Sequence, residues 1–132
     1  MIDLKLLRDD PDLVRASQRA RGSDPALVDQ VLDADARRRA ALTEFEQLRA
    51  EQKAQGKLVA QAKGEEKQAL LAHSKGLAEK VKALSSEADE AERTAAELGR
   101  RIENVIEPDV PSGGENDYVV LEHVGKPSTF DF

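Results

Sequence analysis

Side chains able to do chemistry are few in this chain and scattered. It has no cysteine and two histidines, His73 and His123. Disulfides, thiolate metal sites and cysteine nucleophiles are therefore excluded together. Neither histidine has a nucleophile and an orienting group close by in sequence, and catalysis needs all three within reach. Gly113-Gly114 lacks the strand-to-helix frame of a phosphate loop and reads as an exposed turn. The acidic pairs Asp33/Asp35 and Asp89/Glu90 lack Ca²⁺-loop spacing and read as solvated helix faces. No catalytic residue, metal site or cofactor is expected in this chain.

What remains is electrostatic. A formal net charge of −6 argues against nucleic acid as the default partner, but the charge is unevenly spread. Residues 1–52 hold nine basic and eleven acidic groups, a balance of −2. Residues 53–82 hold seven lysines against three glutamates, +4, and residues 83–132 hold four basic against twelve acidic groups, −8. One basic segment sits between two acidic ones.

The elements that must position those lysines follow from composition and spacing. Of 132 residues, 35% are charged and 39% hydrophobic, yet only 3% are aromatic. Rings supply much of the area in a thick core. Their scarcity, with abundant Ala, Leu, Glu, Lys and Arg, points to long helices or a coiled coil. Leu27, Val31, Ala34, Arg38, Ala41, Phe45, Leu48, Gln52, Gln55, Val59 and Ala62 follow alternating steps of four and three. A second run from Leu70 through Ser74, Leu77, Val81, Leu84, Ala88, Ala91, Ala95, Leu98 and Ile102 to Val105 keeps the same rhythm, which is coiled-coil spacing. Between the runs, Lys63-Gly64-Glu65-Glu66 breaks the pattern as a tight hairpin would.

Facing positions of an antiparallel hairpin share a constant index sum. A sum of 129 sets Val59 against Leu70, Leu48 against Val81, Phe45 against Leu84 and Leu27 against Ile102. Arg38 then faces the small Ala91, and Gln55 faces Ser74, where each is expected to satisfy the other. At ~1.5 Å per residue each arm is roughly 50–57 Å long. Exchange of amide protons is expected to be slowest around Phe45, Leu48, Val81 and Leu84 and fastest near the tip, where Gln52, Gln55, Gly56 and Gly76 dilute the seam.

The expected fold is all-α: a long antiparallel two-helix coiled coil over 26–104, with a helical cap over 1–24 and an irregular tail. In the cap, Asp9-Asp10-Pro11 signals a helix start, Leu13, Val14 and Ala20 give an apolar side, Gly22 stops the helix, and Ser23-Asp24-Pro25 repeats the signal. Residues 1–107 form the arm unit. Residues 108–132 form a linker in which 118–124, YVVLEHV, reads as one short strand with no sheet to join. The chain reads as a piece of something larger. No apolar run approaches the ~20 residues of a membrane span, the N-terminus is too charged for a signal peptide, and the cysteine-free composition suits the cytoplasm.

Helical phase then sorts the cations. Arg49, Lys53, Lys57 and Lys63 centre about 110° from the first seam, and Lys67, Lys75 and Lys82 about 105° from the second in the same rotational sense. Antiparallel pairing reverses that sense, so the two flanks form one face. Glu44, Glu51 and Glu87 lie on the opposite flank, as does Lys80. A one-sided basic face suits a phosphate backbone. The competing reading is a solubilising surface on a structural coiled-coil module that binds protein. Few aromatics argue against single-strand stacking, which leaves backbone and shape as what any nucleic acid would offer.

Three stretches resemble the N-terminal tRNA-binding arm of bacterial-type seryl-tRNA synthetases: MIDLKLLRDDPDLVR at the start, LRAEQKAQGKLVAQAK in the distal first arm, and ENVIEPDVPSGGENDYVV with VGKPSTFDF at the end. The likeness spans the whole chain. Two positions depart: the family often has Arg-Asn where this chain has Gln52-Lys53, and Pro where it has Glu103. The resemblance implies a parent serine–tRNA ligase, a class II synthetase using ATP and Mg²⁺, homodimeric through a catalytic domain that would follow residue 132. It implies that the arm holds the long variable arm and elbow of tRNA(Ser), with Arg49, Lys53, Lys57, Lys63, Lys67, Lys75 and Lys82 as the RNA face. By itself the chain is then an inactive monomer.

Overall fold

The computed structural model describes residues 2–131. Met1 and Phe132, the outermost residues of the expected cap and tail, lie outside the described residues. Four helices follow in order: α1 Leu4–Asp9, α2 Pro11–Ala20, α3 Ala26–Gln61 and α4 Gly64–Arg101. α3 and α4 pack along their length as an antiparallel pair, and α1 and α2 fold against the end opposite the hairpin turn.

The expected start signals act as caps. Asp3 accepts from the Lys5 amide at 2.8 Å to open α1, and Asp10 accepts from the Leu13 amide at 3.1 Å to open α2, with Pro11 in its first turn. Each cap satisfies a donor that would otherwise lack a partner. α2 ends at Ala20, and Gly22 just past its cap has a left-handed φ of 72°, a region costly to residues with a Cβ. The Ser23 amide then reaches back to the Gln18 carbonyl at 2.8 Å, which closes the helix end. Asp24 accepts from the Ala26 amide at 2.9 Å as α3 begins. At the far end Ala62 and Lys63 are extended and Gly64 turns the chain with φ 64°. Glu65 and Glu66 follow in the first turn of α4, where carboxylates complement the helix dipole.

Burial reproduces both predicted seams. Every seam residue from Leu27 to Ala62 and from Leu70 to Val105 is buried or half-buried. Between Leu42 and Ala69 no other residue is shielded: only Phe45, Leu48, Gln52, Gln55, Val59 and Ala62 are less than exposed. The distal half is therefore a bare two-helix seam.

The deep core lies at the base. Leu7, Val14, Val28 and Val31 are fully buried and cluster with Ile2, Leu27 and Ile102. α4 ends at Arg101, yet Ile102 and Val105 continue the seam into this cluster without helical backbone. α2 holds the departing chain. Gln18 Oε1 accepts from the Glu103 amide at 3.2 Å, Ser17 Oγ accepts from the Ile106 amide at 3.0 Å, and Arg21 Nε donates to the Asn104 carbonyl at 2.9 Å. Below the seam, the buried Asp35 carboxylate meets Arg38 and Arg39 at 3.2 Å and Arg8 of α1 at 3.8 Å. A buried carboxylate needs such partners, and these three tie α1 to α3. Arg15, bridging α2 to α3, has its pKa raised by hydrogen bonds first to Asp29 and then to Asp12.

Two expectations are corrected. Residues 118–124 form no strand, and no strand occurs among the described residues. The segment has no neighbouring backbone to pair with, and Leu121 is 96% and Val124 88% exposed; a ladder needs a second strand. Gln55 and Ser74 do not satisfy one another either. Gln55 Oε1 and Ser74 Oγ are both shielded without a hydrogen-bond partner. Seam spacing puts the two at one level but does not bring their polar atoms into bonding geometry.

Candidate nucleic-acid interface

The distal arm holds its cations on regular helix, except Lys63, which stands in the turn. Residues 49–61 of α3 and 67–82 of α4 are helical throughout, and their Ala, Gln, Leu, Lys and Glu content suits a helix with little tertiary support. Arg49, Lys53, Lys57, Lys63, Lys67, Lys75 and Lys82 are all exposed. Lys63 stands at the cap of α4 and Lys67 one turn inside it, beyond the last shielded seam pair. Among the described residues none of the seven makes an ion pair. Arg49 Nη1 instead donates to Gln52 Oε1 at 3.1 Å, which lays its guanidinium along the arm without neutralising it.

A contact across the hairpin identifies the faces. His73 Nε2 of α4 lies 3.5 Å from Glu51 Oε1 of α3. Residues 37 and 44 share the heptad column of Glu51, and residues 80 and 87 that of His73. A shallow groove lined by Ala34, Arg37, Glu87, Ala91 and Thr94 continues the same flank toward the base. This is the mixed, largely acidic side, and Lys80 belongs to it. The column of Arg49 lies on the other side of the seam, where Lys53 of α3 and Lys75 and Lys82 of α4 flank it. Five of the predicted residues, Arg49, Lys53, Lys57, Lys75 and Lys82, thus gather on one side of the hairpin or over its outer surface, and Lys63 and Lys67 sit at its end. Sequence reading missed Gln52 as the residue that orients Arg49. The three-residue spacing of Arg and Gln on one helix was the signal available.

A two-helix coiled coil standing on a small helical base, with most of the cations of its far end on one side, defines a coiled-coil arm domain. Residues 1–106 match the family model described as the seryl-tRNA synthetase N-terminal domain. The chain is 61% identical over 130 residues to the serine–tRNA ligase of an Arthrobacter species, covering 98% of the chain and 30% of that protein. It is 58% identical over 130 residues to that of Pseudarthrobacter chlorophenolicus, again covering 98% of the chain and 30% of the relative. Among solved structures, seryl-tRNA synthetase from Pyrococcus horikoshii complexed with ATP is similar with a TM-score of 0.81 and 32% identity, over 89% of this chain and 27% of that one. Cytoplasmic serine–tRNA ligase from Naegleria fowleri in complex with AMP shares the fold, with a TM-score of 0.73 at 23% identity, over 97% of this chain and 29% of that one. The chain belongs to the seryl-tRNA synthetase N-terminal domain family. It spans about 30% of the length of the curated relatives it matches.

The departure at Glu103 has a structural counterpart. Its amide donates to the buried Gln18, a bond that proline, lacking the N–H, could not make. No helix among the described residues is long and apolar enough to cross a membrane.

Proposed function

We propose that this chain is the tRNA-binding arm of a serine–tRNA ligase, holding the long variable arm and elbow of tRNA(Ser) while the rest of the enzyme attaches serine. The observation that carries this reading is the cluster of exposed cations at the far end of the hairpin, most of them on one side and none ion-paired among the described residues. Lysines of this kind position a duplex by its phosphates without reading bases. A-form RNA is recognised largely by shape. Discrimination then comes from whether a long variable arm is present to lie against the hairpin.

On this reading residues 1–107 are the arm and 108–132 the linker toward the catalytic domain; the family match ending at residue 106 supports that division. ATP and Mg²⁺ are assigned to the rest of the enzyme. Among the described residues no three or more His, Asp or Glu side chains gather as they would to hold the metal ion. The chain by itself forms no seryl-adenylate and remains a monomer, the homodimer being built by the catalytic domain in the cytoplasm.

A gel shift with tRNA(Ser) against a tRNA lacking the long arm tests the reading. Binding selective for the long arm is expected, weakening with salt and losing roughly 0.7–0.9 of log-log slope for each lysine removed. Equal binding to both RNAs, or none, would overturn it. The alternative, a coiled-coil module that binds protein and no RNA, predicts no shift at any salt concentration.

A further inference from the structure

Gly56 is out of place by every rule internal to the chain. It sits inside α3, more than a turn from either end. Glycine there costs about 1 kcal/mol of helix stability relative to alanine. Its φ is not left-handed, and a Cβ built on it would meet nothing within 4 Å. Gly22 and Gly64 differ, since both have positive φ and terminate or start helices. Neither conformation nor packing inside this protein calls for glycine at position 56.

Its place on the hairpin is specific. Gly56 follows Arg49 by one heptad and so stands on the same flank of α3, while Lys63 lies beyond the helix end on extended backbone. Lys53 lies one turn before it and Lys57 beside it, all four cations exposed and unpaired. Gly56 is itself exposed. The basic face therefore has a gap among Arg49, Lys53 and Lys57, where the α3 backbone is bare. Glycine is the residue that lets another backbone approach closely.

We propose that Gly56 is a positioning residue of the interface: its missing side chain lets a ribose–phosphate backbone seat directly on α3, among the phosphate contacts of Arg49, Lys53 and Lys57. The inference rests on the RNA-binding reading above and adds where the strand runs. The gap sets the distance between helix and backbone, so that short contacts from several cations form at once. A side chain there would hold the strand off, and all of them would lengthen together.

Gly76 supplies the control. It is a helix-interior glycine of α4 at nearly the same level, also with open space around a built Cβ and no left-handed φ. By heptad position it faces away from the basic side. Alanine at either position should raise helicity and the melting temperature. Binding of tRNA(Ser) should separate them. Gly56→Ala is expected to weaken binding about tenfold and Gly56→Leu about a hundredfold, each 1.4 kcal/mol per decade, while Gly76→Ala and Gly76→Leu leave it within about twofold. The salt slope of Gly56→Leu should also fall, because several phosphate contacts loosen together.

Two results would overturn the inference alone: unchanged binding by both Gly56 variants, or equal losses from Gly56→Ala and Gly76→Ala, which would mean that arm flexibility matters. Failure of the unsubstituted chain to bind tRNA(Ser) would overturn the RNA-binding reading, and this inference with it. Circular dichroism on each variant separates loss of contact from loss of fold.

Discussion

At the base of the hairpin, Lys5, Arg8, Arg15, Arg21, Arg37, Arg38 and Arg39 each lie within ion-pairing reach of a carboxylate. From Arg49 to Lys82 the described residues hold eight lysines and arginines, and none does. The same residue types serve opposite ends. Some base cations fasten one helix to another, as Arg8 does with the buried Asp35 and Arg15 with Asp29, while Arg19, Arg93, Arg100 and Arg101 make no ion pair among the described residues. Tip cations fasten nothing within the chain, and that leaves them available to an outside anion. Apolar burial divides in the same way. Fully buried Leu7, Val14, Val28 and Val31 stand at the base, whereas the seam beyond Leu42 shields only one residue in every three or four. One end is built to hold its shape, the other to present charge on a minimal support.

The largest contrast should appear in amide exchange. Opening free energies run from near zero at frayed segments to the global value in the core, so protection should fall by several orders of magnitude from Val31 and Ala95 to residues 57–72. Of the mid-arm residues, Val81 is buried but Phe45, Leu48 and Leu84 are only half-buried, so the fully buried base is expected to exchange more slowly still. Uniform protection along the arm would remove the distinction between the two ends.

Charge reversal at Lys53, Lys57 and Lys75 together should reduce tRNA(Ser) binding by more than about a hundredfold, with helicity and melting temperature unchanged. Lys80→Glu, in the column of His73 and on the other flank, should cost only a few-fold. Equal damage from Lys80→Glu, read by the same binding titration, would make overall tip charge and not one face the determinant.

Asp35→Ala tests the base. Removing one partner of a buried pair typically costs 3–5 kcal/mol. Arg8 and Arg39 are 40% and 53% exposed and can turn to water, so about 2–3 kcal/mol is expected. Thermal melts should show that loss, while tRNA binding well below the transition stays unchanged. A weakened interface in a folded Asp35→Ala chain would mean that the two ends are not independent.

The smallest change lies in the distal seam. Gln55→Leu with Ser74→Ala removes two shielded oxygens without partners, and an unsatisfied group typically costs 1–3 kcal/mol. Because both residues are only half-buried, a gain of about 1 kcal/mol is expected in denaturant unfolding. Destabilisation instead would mean that the polar pair holds the register.

The amino-acid sequence alone determined the hairpin. Steps of four and three are a local, repeated signal. Leu27 to Ala62 and Leu70 to Val105 could therefore be read without knowing any neighbour, as could the turn at Gly64 and the caps at Asp10 and Asp24. The flank of α3 on which Arg49 and Lys53 stand follows from the same periodicity, whereas Lys63, on extended backbone past the helix end, does not. Only the tertiary structure decided what depends on approach from elsewhere in the chain. Asp35 reads as a solvated helix acid until Arg8 folds over from α1. Gln18 and Ser17 read as surface polar residues until the amides of Glu103 and Ile106 arrive from more than eighty residues away. Residues 118–124 have the composition of a strand, but a strand is a property of two segments and this one has no second. Periodicity fixes the direction in which a side chain leaves its own helix; only the packed structure fixes what it meets there.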